Sequence, residues 1–412
     1  MYQCINACRI CGNTRLIPVM SLGELALTGT FPKSNREEVT SGPVDLVKCD
    51  ESVGCGLVQL LQSYNLSEMY GMNYGYRSGL NGSMVKHLHS KVEKILSLNI
   101  LEKGDLVIDI GSNDSTTLRA YPEGKYELVG IDPTGVKFKS YYPEHIRLIP
   151  DFFSAATVKS ALSGKQAKVI TSFSMFYDLE EPVAFAREIQ KSLHQEGVWI
   201  LEQSYLPAML RTNSFDTICH EHLEFYALKQ IIWICEMTNL KVLDIEFNEV
   251  NGGSFSITVA RSDSAHVPND GNIKRILAEE AALGLSSSAA FEQFKSRVEE
   301  ARVALMSFLN QAKRDGKKVH GLGASTKGNV LLQYFGIGPE LLGSVGDVNG
   351  DKFGSLTPGS LIPIASEDDV LLVEPDYLVV LPWHFKDFFL NLQKLKGRIL
   401  VFPLPVLAIV KV

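Results

Sequence analysis

The sequence predicts an α/β protein with parallel sheets, and three observations lead to this class. Short apolar runs of strand length alternate with helix-length stretches, beginning at residues 106–111 and 127–132. The same alternation begins again at residues 318–323. A chain of 412 residues is also too long for one ordinary core, so two to three domains are expected. Strands that alternate with helices form a parallel sheet covered on both faces.

The first α/β region is expected to run from a helix to an antiparallel pair of strands. The helix is predicted from Val85, Leu88 and Val92, which recur on one face. A tight turn at residues 251–253 is expected to join the final two strands. The predicted strands are 106–111, 127–132, 168–172, 197–202, 242–246 and 254–259, with a helix at 182–193.

The second α/β region follows a polar stretch, residues 261–272, that has the composition of a linker. One long amphipathic helix is predicted next, because Phe291, Val298 and Leu309 belong to a single apolar stripe. Both regions contain a strand, a Gly-rich turn and a helix in that order. This suggests a duplicated fold, although the match is in the order of elements and not in the sequence itself. The predicted strands of the second region are 318–323, 344–347 and 377–382.

Composition argues against several classes of function. The net charge is −7 and the chain has no block of Lys and Arg, which disfavours nucleic acid and membrane surfaces as partners. No signal peptide is predicted, and the apolar stretch after Arg398 is interrupted by Pro403 and Pro405 and is too short for a bilayer. The seven cysteines are an odd number, which argues against a disulfide framework and favours a cytoplasmic location.

Four of the cysteines form two pairs, Cys8 with Cys11 and Cys49 with Cys55. A glycine directly follows each pair, which suits tight turns that direct two thiolates at one ion. Four thiolates make a closed tetrahedral zinc site of the structural kind, and a small cysteine-rich segment lacks the core to fold without a metal. Unrelated buried cysteines are the alternative. The sequence therefore predicts one structural Zn²⁺.

A turn of small residues, 109–114, follows the first strand of the first region and precedes Thr116, where a helix is expected to begin. Such a turn lets a ligand approach the backbone at the carboxyl end of a parallel sheet, and a carboxylate ending the next strand can accept hydrogen bonds from both ribose hydroxyls. An acidic residue and an aromatic ring at positions 151 and 152, beyond the predicted strand 127–132, suit an adenine. A purely structural turn is the alternative. The candidate residues for an adenosine-type cofactor are Asp109, Gly111, Asn113, Asp132, Asp151, Phe152 and Ser172.

Residues 218–226, which follow the predicted strand 197–202, concentrate histidines and acids. His220 and His222 are two positions apart and share a face only in a strand, whereas the segment is expected to begin a helix, so a metal site is disfavoured. A structural histidine is one alternative. An acid–base site is the preferred interpretation, because a histidine titrates near neutral pH.

The counterpart turn of the second region, residues 320–329, has small residues, hydroxyls and a lysine at a predicted helix N-terminus. This composition suits a diphosphate. The turn is not a P-loop, since the Gly-Lys-Ser/Thr order is absent, and tight packing turns are the alternative. The candidate substrate contacts are Glu224, Ser325, Lys327, Asn329, Asp347 and His384.

These motifs, in this order, resemble the sugar C-methyltransferases that make 3-C-methyl deoxysugars for antibiotics and bacterial polysaccharides. The resemblance extends over nearly the whole chain and includes residues 251–254 and 382–385. It implies a zinc-binding domain over residues 1–66, a Rossmann-like class I methyltransferase domain that binds S-adenosylmethionine over 67–262, and a Rossmann-like α/β domain over 263–412 that helps bind the sugar nucleotide.

The resemblance also implies a reaction and its residues. The substrate is expected to be a TDP- or GDP-linked 4-keto-6-deoxyhexose that is deprotonated and methylated at carbon 3. His222 is similar to the family's general base, Glu221 is its partner, and Tyr76 lies over the sugar. Tyr76 or Tyr177 is expected to hold the enolate oxygen. The sequence departs from the family at Cys219, where Tyr is frequent, and near Tyr177, where His is frequent.

Two rival functions make different predictions. An NAD(P)-dependent nucleotide-sugar oxidoreductase explains two nucleotide-type turns, but it requires a fuller Gly-x-Gly-x-x-Gly turn than either region has. A zinc-module protein that binds nucleic acid is opposed by the acidic charge balance. The chain is expected to be a monomer or a weak homodimer.

Overall fold

The computed structural model describes residues 2–65 and 77–412, and nine of its strands coincide with the apolar runs predicted from the sequence. The strands are β1 (Tyr2–Cys4), β2 (Leu16–Ala26), β3 (Ser41–Cys49), β4 (Val58–Leu60), β5 (Gln62–Tyr64), β6 (Leu106–Ile110), β7 (Glu127–Ile131), β8 (Ile146–Ile149), β9 (Ala167–Phe173), β10 (Leu193–Ser204), β11 (Glu224–Phe225), β12 (Leu240–Asn248), β13 (Ser254–Arg261), β14 (Val319–Leu322), β15 (Val345–Asp347), β16 (Ile364–Ser366), β17 (Tyr377–Val380), β18 (Ile399–Phe402) and β19 (Ala408–Lys411).

Helices cover the sheets and connect most of the parallel strands. The α-helices are α1 (Gly82–Ser97), α2 (Gly135–Phe138), α3 (Ala155–Ala161), α4 (Pro182–Ser192), α5 (Leu206–Arg211), α6 (Leu228–Met237), α7 (Asp270–Ala282), α8 (Ala289–Arg314), α9 (Thr326–Phe335), α10 (Glu367–Leu372) and α11 (Lys386–Leu390). None of the described helices has the length and apolarity of a membrane span.

The central sheet has seven strands in the order β12-β13-β10-β9-β6-β7-β8. All its pairs are parallel except those of β13, which is antiparallel to both neighbours. The inner strand β6 is buried at every position, as its uninterrupted apolar sequence requires. The strand order reverses between β6 and β9, and open α/β sheets bind ligands at such a reversal.

The last third of the chain forms a second sheet with the order β16-β15-β14-β17-β18-β19. Only the β18–β19 pair is antiparallel, so the predicted α/β class is confirmed for both regions. Here the strand order reverses between β14 and β17. The turns that follow β14 and β17 therefore lie together at the carboxyl edge of the sheet.

The two sheets share one turn design. Gly111 and Gly323 each follow the first inner strand with φ of +70° and +81°, values that favour glycine. Each donates its N–H to the residue before the acid that ends the neighbouring strand, at 2.9 Å to Ile131 and 2.7 Å to Gly346. The two regions, whose order of strand, Gly-rich turn and helix is alike, therefore also share a pattern of backbone hydrogen bonds at this turn.

The N-terminal sheet has the order β11-β4-β3-β2, and its edge strand β11 comes from the histidine-rich run far along the chain. One apolar cluster continues from this sheet into the second α/β region. The cluster includes Leu60 and Val44 of the N-terminal sheet, Phe215 and Phe294 between them, and Val379 of the second sheet. The N-terminal sheet and the last third of the chain therefore share a core.

Three local predictions are wrong. Thr116 does not begin an α-helix, because Ser115 has a positive φ and Pro122 follows closely, so only a 3₁₀ turn forms at Leu118–Ala120. The histidine-rich run is a turn followed by β11, and helix α6 begins only at Leu228. The stretch expected to be a linker already contains the start of α7, which begins at Asp270.

Candidate active site

A cavity of about 280 Å³ opens where β6, β7 and β9 end. Its position agrees with the rule that ligands of open α/β sheets bind beyond the carboxyl ends of the strands. Five of the seven predicted cofactor residues line it: Asp109, Gly111, Asn113, Asp132 and Phe152. The Phe152 ring is 62% exposed and projects at the rim, where it is free to stack on a planar ligand.

Asp132 lies at the end of β7 and holds the turn that follows β6. Its Oδ2 accepts a hydrogen bond from the Asn113 backbone N–H at 2.8 Å, and its Oδ1 accepts from the Thr134 N–H at 2.7 Å. The turn and the carboxylate therefore form one unit on the cavity wall. The Thr134 hydroxyl also donates to Oδ1 at 2.7 Å, so of the roughly four acceptor positions of a carboxylate about one is left for a ribose hydroxyl.

Asp109, one residue before the end of β6, is in a different electrostatic environment. Burial raises its pKa to about 7, although the Thr171 hydroxyl donates to its Oδ1. The nearby Asp132 charge acts in the same direction as burial. A cation brought into the cavity therefore favours the ionised form of Asp109.

Two predicted cofactor residues do not line this cavity. Ser172 is fully buried within β9, and its hydroxyl accepts a hydrogen bond from the Trp199 indole N–H at 2.9 Å. Asp151 is exposed, and its carboxylate accepts from the backbone N–H of Phe152. The assignment of Ser172 as a cofactor contact is therefore corrected to a packing role.

His222 is oriented by the backbone of its own turn. Its Nδ1 lies 2.7 Å from the Thr217 carbonyl oxygen, an acceptor that requires a proton on Nδ1. The other ring nitrogen, Nε2, is then an acceptor and is able to take a proton. Burial lowers the pKa of His222, and the Lys327 ammonium lowers it further.

Tyr177 connects His222 to the cofactor cavity. The two rings meet edge to face with centroids 4.5 Å apart. Tyr177 belongs to the segment after β9, and its neighbours Met175 and Asp178 line the cavity. Two of the predicted catalytic side chains are therefore in contact in the structure. Tyr76, the other predicted donor, lies outside the described residues.

Glu221 faces the N-terminal sheet and the second α/β region. Its Oε2 accepts a hydrogen bond from the Thr28 hydroxyl at 3.2 Å, and the Thr28 carbonyl accepts from the Asn329 amide at 2.8 Å. His220 is fully buried, and its ring lies edge-on to that of Tyr64 with centroids 4.6 Å apart. His222, in contrast, is only partly buried.

The second α/β region brings Lys327 and His384 towards His222. Burial lowers the pKa of Lys327, whose ammonium donates to the Asn251 carbonyl, while the Asp216 carboxylate raises that pKa. Burial also lowers the pKa of His384, and the Lys327 charge adds to the effect. The positive charge of Lys327 therefore lowers the pKa of both His222 and His384.

A second cavity, of about 320 Å³, adjoins His384. Phe385 and Phe388 line it from the second region, and Glu249 and Val250 line it from the first. Met84 of α1 lines both this cavity and the cofactor cavity, so the two spaces adjoin at this side chain. The position of α1 at the wall of the site was not predicted from the sequence, because the apolar stripe of α1 is typical of any core-facing helix.

The remaining predicted substrate residues have structural partners. The Ser325 hydroxyl caps α9 by accepting from the Gly328 N–H at 3.0 Å. Asp347 accepts from the Ala324 N–H at 2.8 Å, the equivalent of the Asp132 contact. Glu224 is corrected from a sugar contact to an internal group, because its carboxylate is enclosed on β11 and faces Arg9 at 3.7 Å. Burial raises the pKa of Glu224.

The four paired cysteines converge, with all their Sγ atoms within 4.8 Å of one another. Cys8 lies 3.5 Å from Cys55, and Cys11 lies 3.5 Å from Cys49. Tetrahedral Zn–S bonds of about 2.3 Å place sulfurs just under 4 Å apart, so this donor set fits Zn²⁺. Cys4 is exposed and is not part of the cluster.

Comparison with known proteins covers most of the chain. Three family models match in succession: a zinc-binding domain over residues 8–70, a methyltransferase domain over 84–245, and a C-methyltransferase C-terminal domain over 249–405. The C-methyltransferase NovU of Streptomyces niveus is 28% identical over 393 residues, which are 95% of this chain and 92% of that protein.

Solved structures match only part of the chain. A methyltransferase from Clostridium acetobutylicum that depends on S-adenosylmethionine is 12% identical, with a TM-score of 0.34 over 43% of this chain and 92% of its own. The CcbJ methyltransferase from Streptomyces caelestis is 11% identical, with a TM-score of 0.33 over 41% of this chain and 88% of its own.

Proposed function

We propose that this chain, which belongs to the C-methyltransferase family, uses S-adenosylmethionine to methylate carbon 3 of a nucleotide-linked 4-keto-6-deoxyhexose. The observation that carries the proposal is the state of His222. Its Nδ1 proton is committed to the Thr217 carbonyl, and its Nε2 is left as a base beside Tyr177. Carbon methylation requires such a base, because a C–H proton must be removed before carbon becomes a nucleophile.

The proposed proton transfer follows from the acidity of the substrate. A ketone at carbon 4 acidifies the hydrogen on carbon 3, and His222 Nε2 takes that proton. The negative charge that develops on the ketone oxygen needs a donor close by, and the Tyr177 hydroxyl is the candidate among the described residues. S-adenosylmethionine, when bound, supplies an electrophilic methyl group.

The cofactor is proposed to occupy the 280 Å³ cavity. Asp132 would accept from a ribose hydroxyl, and the Phe152 ring would cover the adenine. The backbone of the turn at Gly111 and Asn113 would contact the ligand directly. Gly111 allows this turn because its φ of +70° favours glycine. The acidic and aromatic side chains that line the cavity support an adenosine-type ligand there.

The sugar nucleotide is proposed to lie across the 320 Å³ cavity beside His384. Lys327, held between Asp216 and the Asn251 carbonyl, supplies positive charge for a diphosphate. Asn329 is proposed to act through Thr28 on the position of Glu221. Met84 lines both cavities, so the donor and acceptor spaces adjoin, as direct methyl transfer between two bound molecules requires.

The test is a mass-spectrometric screen of 4-keto-6-deoxy nucleotide sugars with S-adenosylmethionine that carries a labelled methyl group. We expect label on carbon 3 of one TDP- or GDP-linked sugar. Paired reactions with the TDP and GDP forms of the same sugar identify the nucleotide. Label on an oxygen or nitrogen atom, or on none of the keto sugars, would contradict the proposal.

A further inference from the structure

The backbone after His222 is held between two parts of the chain. On one side, β11 pairs with β4, and the Leu60 N–H donates to the Leu223 carbonyl at 2.8 Å. On the other side, the Leu223 N–H donates to the Tyr177 carbonyl at 2.8 Å. The residue next to the proposed base therefore bridges the cysteine-rich sheet and the segment that lines the cofactor cavity.

Arg9 lies between Cys8 and Cys11 and fastens the metal-binding turn to this bridge. Its side chain is 3% exposed. Nη1 donates to the Leu60 carbonyl at 2.6 Å, on the same residue whose N–H holds Leu223. Nη2 donates to the Ser63 hydroxyl at 2.8 Å. The guanidinium thus fixes β4 at the point where β11 is attached.

The same guanidinium is the counter-charge of the strand that follows His222. Arg9 Nε lies 3.7 Å from Glu224 Oε1 and 3.7 Å from Glu180 Oε2. The Glu224 side chain has no exposed surface, and neither of its oxygens has a hydrogen-bond partner among the described residues. Loss of Arg9 would remove the cation that faces this buried acid and leave it without any polar partner among the described residues, which disfavours the present position of β11.

We propose that Arg9 is a positioning residue for His222, so that the cysteine cluster fixes the base of the reaction as well as the fold of its own segment. The inference rests on the proposed role of His222. The coupling passes from Cys8 through Arg9 to Leu60 and Glu224, and then through Leu223 to the base. It acts on the placement of the imidazole and not on the binding of either ligand.

The first experiment compares Arg9→Gln with Arg15→Gln by steady-state kinetics. Arg15 is the matched control, because it is an arginine of the same segment whose side chain is 65% exposed and pairs with Asp50. Arg9→Gln should retain zinc and lower kcat by about 10²-fold with little change in KM, the scale for a catalytic group displaced by about 1 Å. Arg9→Lys keeps the positive charge but loses the paired N–H donors of the guanidinium, so its kcat should lie between those of the wild type and Arg9→Gln.

Hydrogen–deuterium exchange of the peptide over residues 218–226 tests the same coupling without any substrate. Arg9→Gln should accelerate exchange in this peptide, while Arg15→Gln leaves it at the wild-type rate. If Arg9→Gln does not fold, the isosteric Glu224→Gln takes its place, and it should accelerate exchange and lower kcat in the same direction. If the wild type methylates no keto sugar, the proposed function fails, but the exchange result still stands.

Two outcomes would overturn the inference. One is wild-type exchange and wild-type kcat in a folded Arg9 or Glu224 variant. The other is a loss confined to KM, because this would make Arg9 a support for ligand binding and not for the base.

Discussion

Asp109 and Asp132 face one cavity but differ in what surrounds them. Both oxygens of Asp132 accept hydrogen bonds from backbone N–H groups, those of Asn113 and Thr134. Asp109, by contrast, is enclosed and accepts a hydrogen bond from the Thr171 hydroxyl. Burial raises the pKa of Asp109 to about 7, so near neutral pH this group is only partly ionised in the free protein. The two carboxylates are therefore expected to respond differently to a cationic cofactor.

The affinity for S-adenosylmethionine should depend on the ionisation of Asp109. Burial raises its pKa, so the carboxyl is mostly neutral below about pH 7, and a bound cation favours its charged form. Affinity should therefore rise as pH increases towards about 7 and level off above it, with release of a proton on binding below that pH. Calorimetry in buffers of different ionisation enthalpy measures both quantities.

Asp109→Asn is the control for that experiment, because the amide cannot ionise. The difference between wild type and variant isolates Asp109 from the titration of the cofactor's own amino group. Equal pH dependence in both proteins would show that Asp109 does not sense the cofactor.

Asp132→Ala should weaken binding of S-adenosylmethionine by about 1.5–3 kcal/mol, the scale for hydrogen bonds to a charged group. The matched control is Asp347→Ala, since Asp347 accepts from Ala324 in the second sheet as Asp132 accepts from Asn113 in the first. The control should leave cofactor affinity unchanged in isothermal titration. Unchanged affinity in the Asp132 variant would refute its assignment to the ribose.

At the scale of elements, sequence analysis succeeded where a pattern is local. The strand at 106–111 and the helix at 182–193 match β6 and α4 to within a residue, because an uninterrupted apolar run and a Pro at the first helical turn are local signals. The histidine-rich run failed as a helix start, because β11 exists only by pairing with β4, some 165 positions earlier. The pattern of residues within the run carries no information about a partner strand so distant in the sequence.

The cysteine cluster should hold about one zinc per chain, since one tetrahedral site uses four ligands. Cys49→Ser should lose the metal and unfold the β2–β4 sheet, because Cys49 ends β3 and is fully buried. Cys4→Ser is the matched control, as Cys4 is exposed and outside the cluster. Elemental analysis and circular dichroism measure the two effects. Zinc-free protein that remains folded and active would contradict this prediction.

At the scale of the whole molecule, three stretches of chain meet around His222. The N-terminal sheet supplies Thr28 and β4, the central sheet supplies Tyr177, and the last third supplies Lys327 and His384. The sequence predicted each stretch and most of these residues. It did not predict that Lys327 would be enclosed beside Asp216, because that pair depends on the packing of two sheets. The domain boundaries and the oligomeric state remain predictions.

The central claim is that His222 removes a proton from carbon 3, and hydrogen exchange at that carbon tests it most directly. The keto sugar nucleotide is incubated with enzyme in deuterated water, and the mass of the sugar is followed with time. His222→Ala should slow exchange by about 10²–10⁴-fold, the range for loss of a general base, while His220→Ala, whose ring packs on Tyr64, retains it. Exchange at the normal rate in the His222 variant, with exchange lost in the His220 variant, would contradict the account.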